Sequence, residues 1–278
     1  MKKILTLIVT ALLCATCVFS MTACNKEKAV KLEVVEIALT EESYAFAVNK
    51  GNTELLTSID GYLTTIKNNG TFQKILDKYL EGEGEKTGSP LGTYDSSKEQ
   101  VVVLTNTPFE PFEYTEGGKY YGIDIEIAAG YATSVQKELC IIEWPEFDTI
   151  LNQFNTYPNA IVMAGLTADA DRAQIVDFTQ SYFETSQKII IKKGDTTFAN
   201  CTTKQQIDDV LASLSGKKAG YQNGTQGGYY LEGFENITPS GFKTAALAAQ
   251  ALKNGSIDFV IVDEAPAKAI VEKANKLG

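Results

Sequence analysis

Four short segments concentrate the residues that could do chemistry. The first, Thr105-Asn106-Thr107-Pro108-Phe109-Glu110-Pro111-Phe112-Glu113-Tyr114, leaves an apolar run with two prolines and several aromatic rings. Rings on so stiff a turn either wall a pocket or fill a core. The second, Ala164-Gly165-Leu166-Thr167, is followed by Arg172. Gly165 lets backbone approach a ligand, and the Arg172 fork fits a carboxylate through two parallel hydrogen bonds; a solvated surface arginine is the plainer alternative. The third, Gly220-Tyr221-Gln222-Asn223-Gly224-Thr225-Gln226-Gly227-Gly228, is a glycine-rich turn before a helix start. Backbone N–H groups and the helix dipole make such a place an anion site. No Gly-Lys-Ser/Thr follows, which argues against nucleotide. In the fourth, Val262-Asp263-Glu264-Ala265-Pro266, Asp263 is either a helix N-cap or the counter-charge for an ammonium group. One arginine and one helix start for a carboxylate, with one aspartate for an ammonium, together suit a zwitterion. No pair among them has the arrangement of a general acid and base.

Composition narrows the chemistry further. The 278 residues include no histidine, which removes Ser-His-Asp and Cys-His catalysis and His-ligated metal sites. No cofactor or metal site is expected. With 35 acidic against 25 basic residues the formal charge is −10, the wrong sign for nucleic acid. The apolar fraction of 44% with 22% charged residues is that of a globular protein.

Strand and helix patterns alternate along nearly the whole chain, which predicts an α/β fold with helices on mostly parallel sheets. In such sheets ligands bind beyond the carboxyl ends of strands, where the four segments lie. Strands are expected at 32–37, 44–48, 101–105, 140–143, 161–164, 188–192, 217–220 and 259–262. Leu55, Leu56, Ile59, Leu63 and Ile66 share one helical face, and further helices are expected at 72–80, 123–136, 147–154, 207–214, 226–231, 245–253 and 266–273. Between 81 and 100 no periodicity occurs, and Glu81-Gly82-Glu83-Gly84-Glu85 with Gly88-Ser89-Pro90 reads as a flexible linker.

Lys2 and Lys3 precede an apolar run from Ile4 to Phe19, the pattern of a secretory signal peptide over residues 1–23. Met21-Thr22-Ala23-Cys24 resembles the lipobox of bacterial lipoproteins, with Met21 in place of the more usual Leu. Cys24 is thus the expected lipidation site and 24–28 a polar tether, which places the protein outside the cytoplasm on the bacterial cell membrane. Cys14 and Cys17 leave with the signal. Cys140 and Cys201 remain, and no bridge between them is expected.

Residues 101–278 resemble the front part of bacterial amino-acid-binding proteins of ABC importers, that is, solute-binding protein family 3 with the periplasmic binding protein type II fold. The resemblance rests on the 105–114 segment, Gly122-Ile123-Asp124-Ile125, the stretch Ala164 to Arg172, Val176-Asp177-Phe178-Thr179, Gln222-Asn223-Gly224-Thr225 and the stretch Ala251 to Asp258. In that family the chain closes with a strand, a polar turn and a terminal helix like Ser43 to Tyr79. Here that part stands before the front, so the sequence resembles a circular permutant. The 81–100 linker, with a span of roughly 25 Å, then joins the family's usual C- and N-termini.

The resemblance implies two lobes joined by two crossover strands. Lobe one comprises 45–80 and 101–185, lobe two 29–40 and 189–278. It also implies that Arg172 clamps an α-carboxylate with the backbone N–H of Thr167 and of Thr225 or Gln226. Asp263 pairs with the α-ammonium, sharing it with Gly165 and Thr167, and Phe109 and Phe147 sandwich the side chain. Asn106 and Gln222 read its tip. Members that take a basic amino acid often have an acid at the position of Asn106, so a neutral polar ligand is expected, while Glu42 keeps a cationic one open. The implied partners are the amino acid, a permease of an ABC importer and the membrane, with the protein a monomer. Two other readings carry weight: a dehydratase or lyase on the same fold, which needs a placed acid or base in the cleft, and a sensor module for a membrane partner.

Overall fold

The computed structural model describes residues 30–276. The expected signal peptide, lipobox with Cys24 and tether, residues 1–28, lie outside that range.

Two five-stranded sheets organise the chain. The first runs in the order Val176–Phe178, Ala47–Asn49, Ile161–Val162, Gln100–Thr105, Glu138–Glu143. The second runs Leu32–Val35, Gln187–Lys192, Phe259–Asp263, Lys217–Gln222, Ile237–Phe242. Each sheet is mixed rather than mostly parallel. Gln100–Thr105 is parallel to both neighbours, but Ala47–Asn49 is antiparallel to both of its own. In the second sheet Gln187–Lys192 is likewise antiparallel on both sides. Each sheet takes its antiparallel character from a strand that arrives from the other half of the chain instead of following a crossover helix.

Glu42–Tyr44 and Phe183–Thr185 pair antiparallel with each other and carry the chain between the two halves. The single strand expected at 44–48 is therefore two. Its break lies at Ala45 and Phe46, where the Ala45 N–H donates to the Leu166 carbonyl and the Phe46 N–H to the Thr179 hydroxyl.

Helices cover the sheets as their apolar spacing requires. Thr53–Asn68 buries Ile59, Leu63 and Ile66 and is capped by Asn52, whose side chain accepts from the Leu55 N–H. Thr203 and Thr244 cap Lys204–Ser213 and Ala245–Lys253 in the same way. Phe147–Asn155 is a 3-10 rather than an α-helix.

Residues 81–100 are not a free linker. Ser89–Pro90 adds a third strand to the hairpin Tyr114–Glu116/Lys119–Tyr121. The Thr87 N–H donates to Glu126, whose carboxylate also takes Lys78 and the Tyr79 hydroxyl. Tyr94 packs edge-on against Tyr157 at 5.1 Å. Gly92 lets this strap lie close against the first sheet's edge, since a Cβ there would stand 3.0 Å from the Cα of Cys140. Cys140 is buried in the core under the first sheet, while Cys201 packs into that of the second; both are free.

Candidate functional site

The carboxyl ends of the central strands of the two sheets face each other across a cleft. Between them lies a small cavity lined by Asn106, Phe109, Glu113, Phe147, Ala164, Gly165, Thr167, Arg172, Gln222, Thr225, Gln226 and Asp263. Every residue expected at the site lines it except Glu42. Glu42 stands behind the wall, where it accepts from the hydroxyls of Thr40 (2.5 Å) and Thr167 (2.8 Å) and from the Gln187 side chain (3.1 Å).

Arg172 opens the short 3-10 turn Arg172–Gln174, and Asp169 fixes its backbone by accepting from the Arg172 N–H at 2.8 Å. The guanidinium spans the cleft. Nη1 donates to the Thr167 carbonyl at 2.7 Å and Nη2 to the Gly224 carbonyl at 2.8 Å, from the opposite half, while Nε lies 3.3 Å from Asp169. It rests over the Phe147 ring, 5.6 Å from the centroid. A guanidinium has five N–H donors, so it retains capacity for an anion in the cavity. Thr225 begins the helix Gln226–Leu231, and the Gln226 side chain reaches back to Asp169 at 2.9 Å. Phe109 borders the opposite side; its ring packs 6.1 Å from Phe112 and lies 2.7 Å from where a Cβ on Gly165 would stand.

Asn106 and Gln222, expected to read a side-chain tip, hold each other across the cleft. The Gln222 amide donates to Asn106 Oδ1 at 2.9 Å, and Asn106 donates to the Trp144 carbonyl at 2.7 Å. Gln222 Oε1 is left without a partner.

Asp263 is 4% exposed and accepts from the Tyr44 hydroxyl at 2.6 Å. Burial, with repulsion from Glu42 behind it, pushes its carboxyl up to about 7. Beside it is the residue that sequence reasoning missed. Glu113 is 1% exposed, and neither of its carboxylate oxygens has a hydrogen-bond partner. Burial pushes its carboxyl well above the usual range, and Asp124 and Asp263 push further in the same direction. Asp124 is fully buried, accepts from the Tyr182 hydroxyl (2.6 Å) and the Gly165 N–H (3.0 Å), and is raised by burial to about 7. Glu113 sits between Phe112 and Tyr114, both buried, so alternation points it outward; instead the Phe109 N–H closes back on the Glu113 carbonyl at 2.7 Å and turns it in. The available signal was an acid inside the segment already singled out for its pocket-forming rings. Among the described residues no group of three or more His, Cys, Asp or Glu is placed to hold a metal ion.

The wall thus offers a cationic fork and a helix start at one end, and buried carboxyl groups at the other. Residues 101–226 match the family described as bacterial extracellular solute-binding proteins, family 3. An arginine-binding extracellular protein of Bacillus subtilis is 25% identical over 196 residues, which cover 68% of this chain and 71% of that one. A protein of Neisseria gonorrhoeae named as a probable histidine-binding protein is 27% identical over 188 residues, 66% of this chain and 65% of that one. The chain therefore spans about two thirds of the length of the curated relatives it matches. The structure of an ancestral arginine-binding protein bound to arginine superposes with a TM-score of 0.57 at 29% identity, covering 64% of this chain and 76% of that one.

Proposed function

We propose, from the premise that this chain belongs to the bacterial extracellular solute-binding proteins of family 3, that it captures a basic α-amino acid between its two lobes and delivers it to an ABC importer. One observation carries the reading: a single cavity joins the Arg172 fork to Asp263 and to the unpartnered Glu113. The α-carboxylate takes the free donors of Arg172 and the start of the helix Gln226–Leu231. The α-ammonium pairs with Asp263, with Thr167 beside it. A cationic side chain then supplies the partner that Glu113 lacks. Asn106, read from sequence, pointed to a neutral polar ligand; here its amide is engaged with Trp144 and Gln222, and the acid of the pocket comes from Glu113 instead. The relatives named for arginine and histidine support the same class.

Ligand that touches both lobes favours their closed arrangement by its differential affinity for it, and the closed form is what a permease reads. In this reading Cys24 carries lipid and holds the monomer on the outer side of the cell membrane.

The reading includes a circular permutation. Ala47–Asn49 is an interior strand of the first sheet, between Val176–Phe178 and Ile161–Val162. Leu32–Val35 closes the edge of the second, where Leu32 exchanges two hydrogen bonds of 2.9 Å with the Asn275 side chain. The two ends of the described chain are thus neighbours, and 30–80 continues the fold from where 276 leaves it. Attachment then falls on lobe two.

Isothermal titration of the soluble chain with L-arginine tests the central reading. We expect one site, abolished in Arg172→Ala; unchanged affinity in that variant would contradict the role of the fork.

A further inference from the structure

Glu113 is a buried acid with no partner in a cavity meant for a charged ligand. An ionised carboxylate so placed is strongly unfavourable, because nothing replaces the water it lost. The groups that face it do not relieve this. Asp124, from the helix Ile123–Ser134, and Asp263, from the end of Phe259–Asp263, are themselves acids and oppose its charge. Tyr44 and Tyr182 spend their hydroxyls on Asp263 and Asp124. Glu42 stands behind Asp263 and bonds to Thr40, Thr167 and Gln187. Arg172, across the cavity, makes no ion pair with Glu113 and turns instead to the Thr167 and Gly224 carbonyls and to Asp169. On its own segment, Glu110 turns away to Lys273 at 2.7 Å. A carboxyl in these surroundings keeps its proton until a cation arrives.

We propose that Glu113 is a proton-exchange subsite: it holds a proton until the cationic end of a ligand side chain enters beside it, and then releases that proton to solvent. The step is a plain exchange, in which the Glu113 O–H bond breaks, the proton goes to water, and the carboxylate pairs with the incoming guanidinium or ammonium. It rests on the reading of the cavity as an amino-acid site and adds to it a linkage between ligand capture and pH. The sign follows from the proton count. The liganded protein holds fewer protons, so affinity for a basic amino acid rises with pH, up to tenfold per unit for each proton released. Any proton that Asp263 gives up to the α-ammonium is common to basic and neutral amino acids, so Glu113 accounts for the excess that a basic side chain draws over a neutral one.

The test is calorimetric titration of the full soluble chain with L-arginine and with L-glutamine at pH 6, each in two buffers of different ionisation enthalpy. The dependence of the observed heat on the buffer counts protons. Arginine should release about one proton more than glutamine, and Glu113→Gln should remove that excess. The pH dependence of arginine affinity in the unaltered chain gives a second measure that needs no variant and no second ligand. The affinity should rise with pH, as release of a proton on binding requires. An arginine heat that counts no extra proton, an excess that persists in Glu113→Gln, or an arginine affinity that does not rise with pH would each overturn the exchange while leaving the amino-acid site standing. Absence of any binding by either ligand would remove the underlying reading, and the exchange with it.

Discussion

Gly224→Ala probes whether ligand is held by two lobes pressed together. Gly224 lies on the turn after Lys217–Gln222 with φ +73°, and its carbonyl accepts from Arg172 across the cleft. A Cβ added there would stand 2.7 Å from the Cα of Asp148, on the facing segment Phe147–Asn155. The substitution has two separable effects. The left-handed backbone costs about 1 kcal/mol for any residue with a Cβ, whatever the lobes do. The clash involves backbone on the opposite lobe, and overpacking of this kind costs about 1–3 kcal/mol. Because, among the described residues, the paired strands Glu42–Tyr44 and Phe183–Thr185 carry the chain between the lobes, separating the lobes relieves the clash without unfolding either one. The second cost therefore falls on ligand binding and should weaken it about 5- to 150-fold. Gly194→Ala is the control, since Gly194 has φ +90° with nothing within 4 Å of its absent Cβ. Isothermal titration with L-arginine and urea unfolding of the ligand-free chain separate the two effects. Both variants should lose about 1 kcal/mol of stability, and only Gly224→Ala should lose affinity. Equal affinity in the two variants would refute the argument that binding requires this contact.

Two further outcomes follow from the same geometry. Asp124 is raised to about 7 by burial, so between pH 4 and 7 the folded state binds more protons than the unfolded chain, and stability falls as pH rises through that window. Asp124→Asn removes this contribution. From pH 5 to pH 7 it should lose less stability than the unaltered chain, by an amount on the order of 2–3 kcal/mol, as read from urea unfolding at each pH; parallel pH profiles would exclude the assignment. A rearranged chain that begins at residue 98, runs to 278 and continues from 30 to 82 should fold and bind the same amino acid with similar affinity. Failure to fold would count against the permutation.

The helix Thr53–Asn68 was legible because apolar residues, Ile59, Leu63 and Ile66 among them, share one face and Asn52 caps it. The cleft was legible for a different reason. Turns at the carboxyl ends of strands converge when two sheets face each other, so residues as distant as Asn106, Arg172, Gln222 and Asp263 meet. What escaped depends on neighbours that local pattern does not encode. The strand Ile237–Phe242 carries Pro239 and little apolar alternation, which an edge position tolerates. The hairpin around Gly117 and Gly118 has strands of three residues, too short for a period to show. The 81–100 strap owes its order to hydrogen bonds with Glu126 and to pairing with that hairpin. Glu113 is set by a tight turn between buried rings, and its missing partners are visible only once the cavity is assembled.

A thermal-shift screen of the soluble chain against the common amino acids tests the central claim most directly. A ligand present at 100 times its dissociation constant adds about 2.7 kcal/mol, or roughly 5–10 °C for a chain of this size. Arginine or another basic amino acid should give the largest rise, neutral polar ones a smaller rise and acidic ones none. A well-folded sample that no amino acid stabilises, or one stabilised most by glutamate or aspartate, would contradict the account.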